Sequence, residues 1–268
     1  MQLQDKFNRL KRIVFAYKSA LVAFSGGQDS AFLLKICTLM LPGHRILAVT
    51  AVSDTYPKGE LAKAKILAKH IGAKLKVIRT AELGNKKFTA NPVKRCYYCK
   101  KELFLKLLAI AKQNKLNFVL EASSLSDRHD YRPGNIAKRE LNIESPLIQA
   151  GFNKEDICRL SKKLGLASWN KPSLACLASR VPYGIKITPS LLKRIDRAEE
   201  YLSSLGFKQV RLRHYNQLCR IEVGKTEMCQ LLNKRERIVK KLKDLGYNYV
   251  TLDLEGYRLG SLNEVIKR

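Results

Sequence analysis

The chain has 268 residues, 46% of them hydrophobic, and 51 Lys and Arg against 23 Asp and Glu give it a formal net charge of +28. This length and apolar content are ordinary for a globular protein with one large domain or two modest ones. No apolar run reaches the roughly 18 residues that a membrane span needs, which argues against a helical membrane protein and against a membrane partner.

The charge and the N-terminal segment set expectations about partners and compartment. A basic balance of this size favours anionic partners such as nucleotides, phosphates or nucleic acid, but lysine-coated helix faces account for it equally well. The first twenty residues alternate charged and apolar side chains and lack the unbroken apolar core of a signal peptide. We therefore expect a cytoplasmic protein.

The first 170 or so residues alternate helix and strand patterns. Helices are predicted at residues 5–18, 31–40, 57–70, 97–113 and 156–164, and strands at 20–24, 46–52, 75–78 and 118–120. Strands that alternate with helices indicate parallel βαβ units, so we predict an α/β fold with a doubly wound parallel sheet. Ligands of such sheets bind at the carboxyl ends of the strands.

The pattern changes after about residue 172. A helix at 191–205 precedes two segments, QVRLRHY and LCRIEVG, whose strict alternation predicts an antiparallel hairpin. Another helix and a strand at YVTLDLEGYR complete the order α-β-β-α-β. We predict two domains, 1–171 and 172–268. The second is a smaller α+β domain for substrate binding or oligomerisation, and we expect a homo-oligomer.

A glycine-rich hexapeptide, SGGQDS at residues 25–30, lies between the first strand and the next helix, and we call it the phosphate loop. Gly26 and Gly27 let the backbone approach an anion, and the following amides face outward at a helix N-terminus, where negative charge is stabilised. A glycine turn with a capping serine is the structural alternative. The remaining candidates are two hydroxyl donors and a carboxylate suited to Mg²⁺: Ser25, Ser30 and Asp29.

The phosphate loop resembles the SGGxDS signature of the PP-loop ATP pyrophosphatases, whose fold is of the adenine nucleotide alpha hydrolase type. The resemblance implies cleavage of ATP between its α- and β-phosphates and adenylation of a substrate. The GxxxxGK[ST] loop, by contrast, goes with cleavage of the γ-phosphate. Gln28 stands where the family usually has valine. It flanks the loop and removes no phosphate donor.

Three of the seven cysteines form a candidate metal set. Cys96 and Cys99 lie three residues apart at a predicted helix start, where the helix N-terminus and flanking cations favour thiolates. With Cys176 they suit a 4Fe-4S cluster that leaves one iron open, whereas zinc prefers a fourth protein ligand. Unrelated thiols or a redox CxxC remain alternatives. The other four cysteines, Cys37 and Cys158 within helical runs among them, are interpreted as structural.

Segments along most of the chain resemble the LarE family in the family's order: YYCKKELF, SSLSDRHDYRPG, ESPL, KPSLACLASRVPYGIKIT and VRLRHY…RIEV. This resemblance implies a sulfur transferase of nickel-pincer nucleotide biosynthesis. ATP and Mg²⁺ would adenylate a carboxylate of a pyridinium mononucleotide, and sulfur would displace AMP to leave a thiocarboxylate.

The family uses two sulfur sources. In one type, the cysteine of the ACLASR segment gives up its own sulfur and becomes dehydroalanine. In the other, three cysteines hold a cluster that delivers sulfide, which sulfide or another donor replenishes. Cys176 matches the ACLASR cysteine, and Cys96 and Cys99 fall where the sacrificial type usually lacks cysteines. The sequence therefore favours the cluster type.

Arginines and acids of the second domain complete the candidate site. Arg211 and Arg213 share one face of the predicted hairpin with Glu222, and guanidinium groups match the geometry of phosphate. Solvated cross-strand charge pairing is the alternative. The family resemblance favours phosphate binding, and Arg180 would hold the nucleotide near Cys176. The sequence assigns no role to three residues after the fourth strand: Asp127, Asp130 and Arg132.

Two other functions fit parts of the sequence. A PP-loop tRNA thiolase with a three-cysteine cluster would use the positive charge, although the C-terminal unit and the ACLASR segment favour the small pyridinium nucleotide. A PP-loop amide ligase or nucleotide synthetase would leave the cysteines without a purpose. A pure binding module leaves the loop, acid and thiols unexplained. We therefore expect a small-molecule substrate and no nucleic-acid partner, although charge alone does not exclude one.

Overall fold

The computed structural model describes residues 2–129, 133–171, 175–258 and 260–266. The chain divides into two compact units. The first unit contains residues 1–53, 58–82 and 94–174, and the second contains 54–57, 83–93 and 175–268. Two short segments from the first hundred or so residues thus belong to the second unit, which the local sequence pattern did not predict.

The first unit is built on a parallel sheet of four strands in the order β3-β2-β1-β4. The strands are β1 (Ala20–Ala23), β2 (Ile46–Val52), β3 (Leu75–Arg79) and β4 (Phe118–Leu120). All three neighbouring pairs run parallel, with Leu21 opposite both Leu47 and Val119. The predicted parallel sheet is confirmed, and each predicted strand is present within two residues of its expected ends.

Helices cover both faces of this sheet. They are α1 (Leu3–Ala16), α2 (Gln28–Met40), α3 (Glu60–Ile71), α5 (Arg95–Gln113), α6 (Gly134–Glu140), α7 (Pro146–Gln149) and α8 (Lys154–Lys163). Ala20 and Val22 pack into one apolar cluster with α1, α2, α3 and α8, whereas Leu21 packs into another with α5. Because successive strand residues face opposite sides, β1 is buried on both.

One helix start differs from its prediction. Pro57 was expected to open the third helix, but α3 begins at Glu60, after Gly59 in a left-handed conformation with φ of 78°. Pro57 belongs to the second unit. Proline favours a first helical turn only where the flanking residues continue the helix, and glycine at φ above zero interrupts it.

The connections determine which helix ends lie beside the carboxyl ends of the strands. The strand order reverses between β1 and β4, where open α/β sheets bind their ligands. Helix α5 lies between β3 and β4, so it runs from the carboxyl edge of the sheet back to the amino edge. Its N-terminus, with Cys96 and Cys99, therefore lies at the same edge as the phosphate loop that follows β1.

The second unit has three strands in the order β5-β6-β7 and four helices among its described residues. They are α4 (Lys86–Thr89), α9 (Pro189–Ser204), β5 (Val210–Tyr215), β6 (Leu218–Val223), α10 (Met228–Asn233), α11 (Arg235–Asp244) and β7 (Tyr249–Leu252). Strands β5 and β6 form the predicted antiparallel hairpin, and β7 pairs parallel to β6. The single helix expected after the hairpin is interrupted at Lys234.

The early segments of the second unit are tied to its later residues by backbone hydrogen bonds. The amide of Leu177 donates to Thr55 (2.8 Å), and the amide of Ile187 donates to Thr89 (2.8 Å). The Asn91 side chain is fully buried and donates to the carbonyls of Pro182 (2.7 Å) and Ile185 (2.9 Å). These bonds satisfy loop carbonyls that burial would otherwise leave without partners.

Buried His214 predicts a pH-dependent stability. Burial and the charge of Arg194 lower the pKa of His214 from 6.5 to about 4. The unfolded chain therefore binds a proton between pH 6.5 and 4 that the folded chain does not. We expect the free energy of unfolding to fall by about 3 kcal/mol across that window, with no further loss from this group below it. Denaturant unfolding of wild type and His214→Gln over this range measures the difference, and parallel stability curves would contradict it.

Candidate functional site

The phosphate loop turns sharply from β1 into α2. Gly26 has φ of 74°, and Gly27 is the residue before the first turn of α2. A Cβ on Gly26 would lie 2.8 Å from the Cβ of Ala64, so only glycine fits both the backbone angle and the space. The hydroxyls of Ser25 and Ser30 are 3.1 Å apart, and Ser30 donates to the carbonyl of Gly27 (3.0 Å). The loop therefore directs helix-end amides and hydroxyls to one place.

A lysine that sequence reasoning missed holds this loop. The ammonium of Lys171 donates to the Gly26 carbonyl (3.1 Å) and to the Glu60 carboxylate (2.8 Å). Burial raises the pKa of Glu60, but the hydrogen bonds from Lys171 and Lys63 lower that pKa overall. The sequence feature that could have identified Lys171 is its position at the start of the KPSLACLASR segment, which resembles the family. The contact itself spans 145 residues and has no local pattern.

Asp29 lies in the first turn of α2, which begins at Gln28, three residues before the helix predicted at 31–40. Its Oδ2 is 3.1 Å from the ammonium of Lys154 at the start of α8. A carboxylate at this position offers the hard oxygen ligand that Mg²⁺ prefers, so its chemistry fits that ion. Gln28, the family-variable position, donates instead to the carbonyl of Trp169 (2.5 Å), which supports its interpretation as a flanking residue.

A buried carboxylate follows β4. Glu121 accepts hydrogen bonds from Ser123 (2.6 Å), Lys138 (3.2 Å) and Ser145. Burial raises the pKa of Glu121, but the charges of Lys100 and Lys138 keep that pKa below its ordinary value. The sequence analysis missed this residue. The sequence feature that could have identified it is an acidic residue directly after an apolar strand, at the sheet edge where ligands bind.

The three residues without assigned roles lie beyond Glu121 in the chain. Asp127 is buried and accepts from the amide (2.8 Å) and hydroxyl (3.2 Å) of Ser124, which orders the loop after β4. Asp130 and Arg132 lie outside the described residues.

The CxxC thiols lie on the first two turns of α5. Cys96 is exposed and Cys99 is partly exposed, and their three-residue spacing places them on one helix face. The start of α6 packs closely on this turn, because a Cβ on Gly134 would lie 2.9 Å from Lys100 Cγ and 3.6 Å from the Cys96 carbonyl. Arg95 and Lys100 flank the two thiols in the sequence.

Cys176 lies in the second unit and is exposed. Its carbonyl accepts a hydrogen bond from the guanidinium of Arg180 (3.0 Å). Arg180 also forms a two-pronged ion pair with Glu199, at 2.9 and 2.8 Å. Burial lowers the pKa of Arg180, but the charge of Glu199 and the hydrogen bonds to it raise that pKa overall. Arg180 therefore fixes the backbone at Cys176, and Glu199 is a partner that sequence reasoning did not identify.

The hairpin arginines differ in their surroundings. Arg213 is 5% exposed and pairs with fully buried Glu222 through two bonds of 2.8 Å, with further bonds to Ser179 and Ser261. Arg211 lies opposite Glu222 in the register, and its guanidinium lies 5.3 Å from the centre of the Tyr257 ring. Burial and the neighbouring charge of Arg180 lower the pKa of Arg211.

Three of the other four cysteines fit structural roles: Cys37, Cys158 and Cys219. Burial raises the pKa values of Cys37 and Cys219 to about 12, so both are protonated thiols at neutral pH. Cys158 donates to the Trp169 carbonyl (3.4 Å), and Cys229 is exposed. Across the described ranges, no three His, Cys, Asp or Glu side chains are grouped as a metal site. In the same ranges, none of the helices has the length and apolar character to cross a bilayer.

Three relatives match nearly the whole chain, although no protein-family model matches it. An uncharacterised protein of Synechocystis is 39% identical over 99% of this chain and 100% of its own length. An uncharacterised protein of Methanocaldococcus jannaschii is 32% identical over 94% and 95%. The pyridinium-3,5-bisthiocarboxylic acid mononucleotide synthase of Lactiplantibacillus plantarum is 37% identical over 92% and 90%. With that identity over nearly the full length of a LarE enzyme, the chain belongs to the LarE family.

Proposed function

We propose that the chain is an ATP-dependent sulfur transferase that converts a carboxylate of a pyridinium mononucleotide to a thiocarboxylate, in the biosynthesis of a nickel-pincer nucleotide. The observation that carries the proposal is the similarity, over 92% of this chain and 90% of the relative, to a synthase whose named product bears two thiocarboxylic acids on such a ring. A product of this kind requires sulfur in place of carboxylate oxygen.

The phosphate loop supports ATP as the activating reagent. A substrate carboxylate would attack the α-phosphorus of ATP. The bond from that phosphorus to the oxygen bridging to the β-phosphate would break, and pyrophosphate would leave with the bonding electrons. A sulfur nucleophile would then attack the acyl carbon and release AMP. In this scheme the amides after Gly27 and the hydroxyls of Ser25 and Ser30 bind phosphate oxygens, and Asp29 holds Mg²⁺. The first unit would thus form the pyrophosphatase domain.

The sulfur step is assigned to the exposed thiols. We place Cys96, Cys99 and Cys176 as the ligands of a 4Fe-4S cluster, because thiolates are the ligands such clusters use. When bound, the cluster would supply the sulfide that replaces the carboxylate oxygen. The helical spacing of the thiol pair on α5 and the fixed backbone at Cys176 support this assignment. Residues 172–268 would bind the substrate phosphate and support oligomerisation.

The proposed function has a direct test. Full-length protein prepared anaerobically is incubated with ATP, Mg²⁺, sulfide and the pyridinium dicarboxylate mononucleotide. We expect AMP and pyrophosphate in equal amounts, together with a product whose mass shows exchange of oxygen for sulfur. AMP formation that depends instead on added tRNA, with thiolated tRNA as product, would support the tRNA thiolase and overturn the proposal.

Substrate binding gives a further prediction. Arg211→Ala should raise the KM for the mononucleotide at least about tenfold, because one charged hydrogen bond to phosphate contributes roughly 1.5–3 kcal/mol. The KM for ATP should change little. Steady-state kinetics with each substrate varied in turn measures both values. An equal rise in both would place Arg211 outside the mononucleotide site.

Arg213→Ala is a less specific test of the same site. It would leave the buried carboxylate of Glu222 without its main partner, which costs roughly 3–5 kcal/mol of stability. Arg235→Ala is the matched control for Arg211→Ala. Arg235 is exposed on α11, and its replacement by alanine removes the same charge.

A further inference from the structure

A cavity of about 380 Å³ opens in the second unit at the start of α9. Its lining includes two cationic side chains, two hydroxyls at the first turn of α9, and one buried histidine: Lys186, Arg194, Thr188, Ser190 and His214. No part of the proposed sulfur transfer uses this cavity. Its chemistry therefore needs a separate account.

His214 is the buried polar group of the cavity, with 5% of its surface exposed. Its Nδ1 is 3.3 Å from the hydroxyl of Tyr247, which is also buried. Burial raises the pKa of Tyr247, so the phenol stays protonated, and we assign it as the donor to Nδ1. The proton of the neutral imidazole then lies on Nε2. Among the described residues Nε2 has no hydrogen-bond partner, which leaves it as a donor to the cavity.

The charges around this donor are positive. Lys186 and Arg194 line the cavity, and the N-terminus of the 16-residue helix α9 adds a partial positive charge. The Arg194 guanidinium lies 5.5 Å from the centre of the Tyr247 ring, which holds it beside His214. The cavity lining that the structure describes contains no carboxylate. Proteins bind oxyanions in sites that combine hydrogen-bond donors with cationic side chains and lack carboxylates.

We propose that this cavity binds a phosphate-class oxyanion, either free phosphate or the phosphate of a monoester, through His214, Lys186 and Arg194. His214 projects from the face of β5 opposite to Arg211 and Arg213, because successive strand residues alternate. The site is therefore separate from the arginines assigned to the mononucleotide. Its anion is a second ligand of the second unit.

Histidine resonances provide the test, because the chain has only four histidines. Inorganic phosphate is titrated into the full-length, histidine-labelled protein at constant ionic strength, and the loss of one signal in His214→Asn assigns its resonance. We expect a saturable shift of the His214 ring signal and at least about tenfold weaker binding in Lys186→Gln. Lys186 is exposed, so its replacement leaves the core packing unchanged.

Lys193→Gln is the matched control, since Lys193 is exposed on α9 and lies outside the cavity lining. It should bind phosphate like wild type. A parallel titration with ribose 5-phosphate separates the two sources: tighter binding than phosphate identifies a monoester, and weaker binding identifies free phosphate. A shift that does not saturate, or one that Lys186→Gln and Lys193→Gln weaken equally, would overturn the proposal.

Discussion

Replacing Cys96, Cys99 or Cys176 with alanine, one at a time, is expected to reduce sulfur transfer to background in each variant. Three thiolates that hold one cluster act as a unit, because two ligands bind it poorly and expose more iron. Each variant should also lose iron, acid-labile sulfide and the visible absorption after anaerobic reconstitution. These readouts do not depend on turnover. Cys229→Ala removes an exposed thiol elsewhere in the second unit and should behave like wild type.

A sacrificial Cys176 gives a different pattern in the same series. Only Cys176→Ala would then lose transfer, and wild-type protein would stop after one turnover with a mass loss of H₂S at Cys176. Repeated turnover by iron-free protein that carries both Cys96→Ala and Cys99→Ala would rule out the cluster. Mass spectrometry of the protein before and after reaction distinguishes the two sulfur sources.

Asp29→Asn is expected to keep the fold and to reduce formation of AMP and pyrophosphate at least about a hundredfold, the scale of losing one charge-stabilising group. Asparagine retains an oxygen that can accept from Lys154, but it lacks the negative charge that holds Mg²⁺. Pyrophosphate release with saturating substrate measures the effect. Thermal unfolding checks the fold.

Asp5→Asn is the control for the charge change, because Asp5 is exposed on α1 in the same unit. Its pyrophosphate release should match wild type. Raising the Mg²⁺ concentration should partly restore Asp29→Asn, since the remaining ligands bind the ion more weakly. Unchanged AMP release in Asp29→Asn would remove this carboxylate from the reaction.

Local patterns predicted the frame of this protein well. Apolar runs such as Ala20–Ala23 identified the central strands, because a strand buried on both faces needs apolar residues throughout. Alternation placed Arg211 and Glu222 on one face of the hairpin, and the register agrees. These features depend on periods of two or 3.6 residues, which the sequence displays directly.

Contacts between distant residues were not predictable in the same way. The Lys171 bond to Gly26 and the pairing of Arg180 with Glu199 depend on the folded path of the chain. Alternation identified the face of Arg213 but not its burial against Glu222. Burial decides whether an arginine is available to a ligand or committed to the core, and burial follows from tertiary packing that one sequence does not display.

The segments at residues 54–57 and 83–93 have a consequence for how this chain is synthesised. They leave the ribosome long before Ala175, yet their partners, the loop carbonyls of Pro182 and Ile185 among them, come later. Until then the Asn91 side chain lacks these two acceptors. Both segments therefore stay without these partners until about residue 187 has been synthesised. A fragment that begins at Ala175 would lack residues 54–57 and 83–93, which bond Leu177 and Ile187, so cutting the chain there does not release the second unit whole.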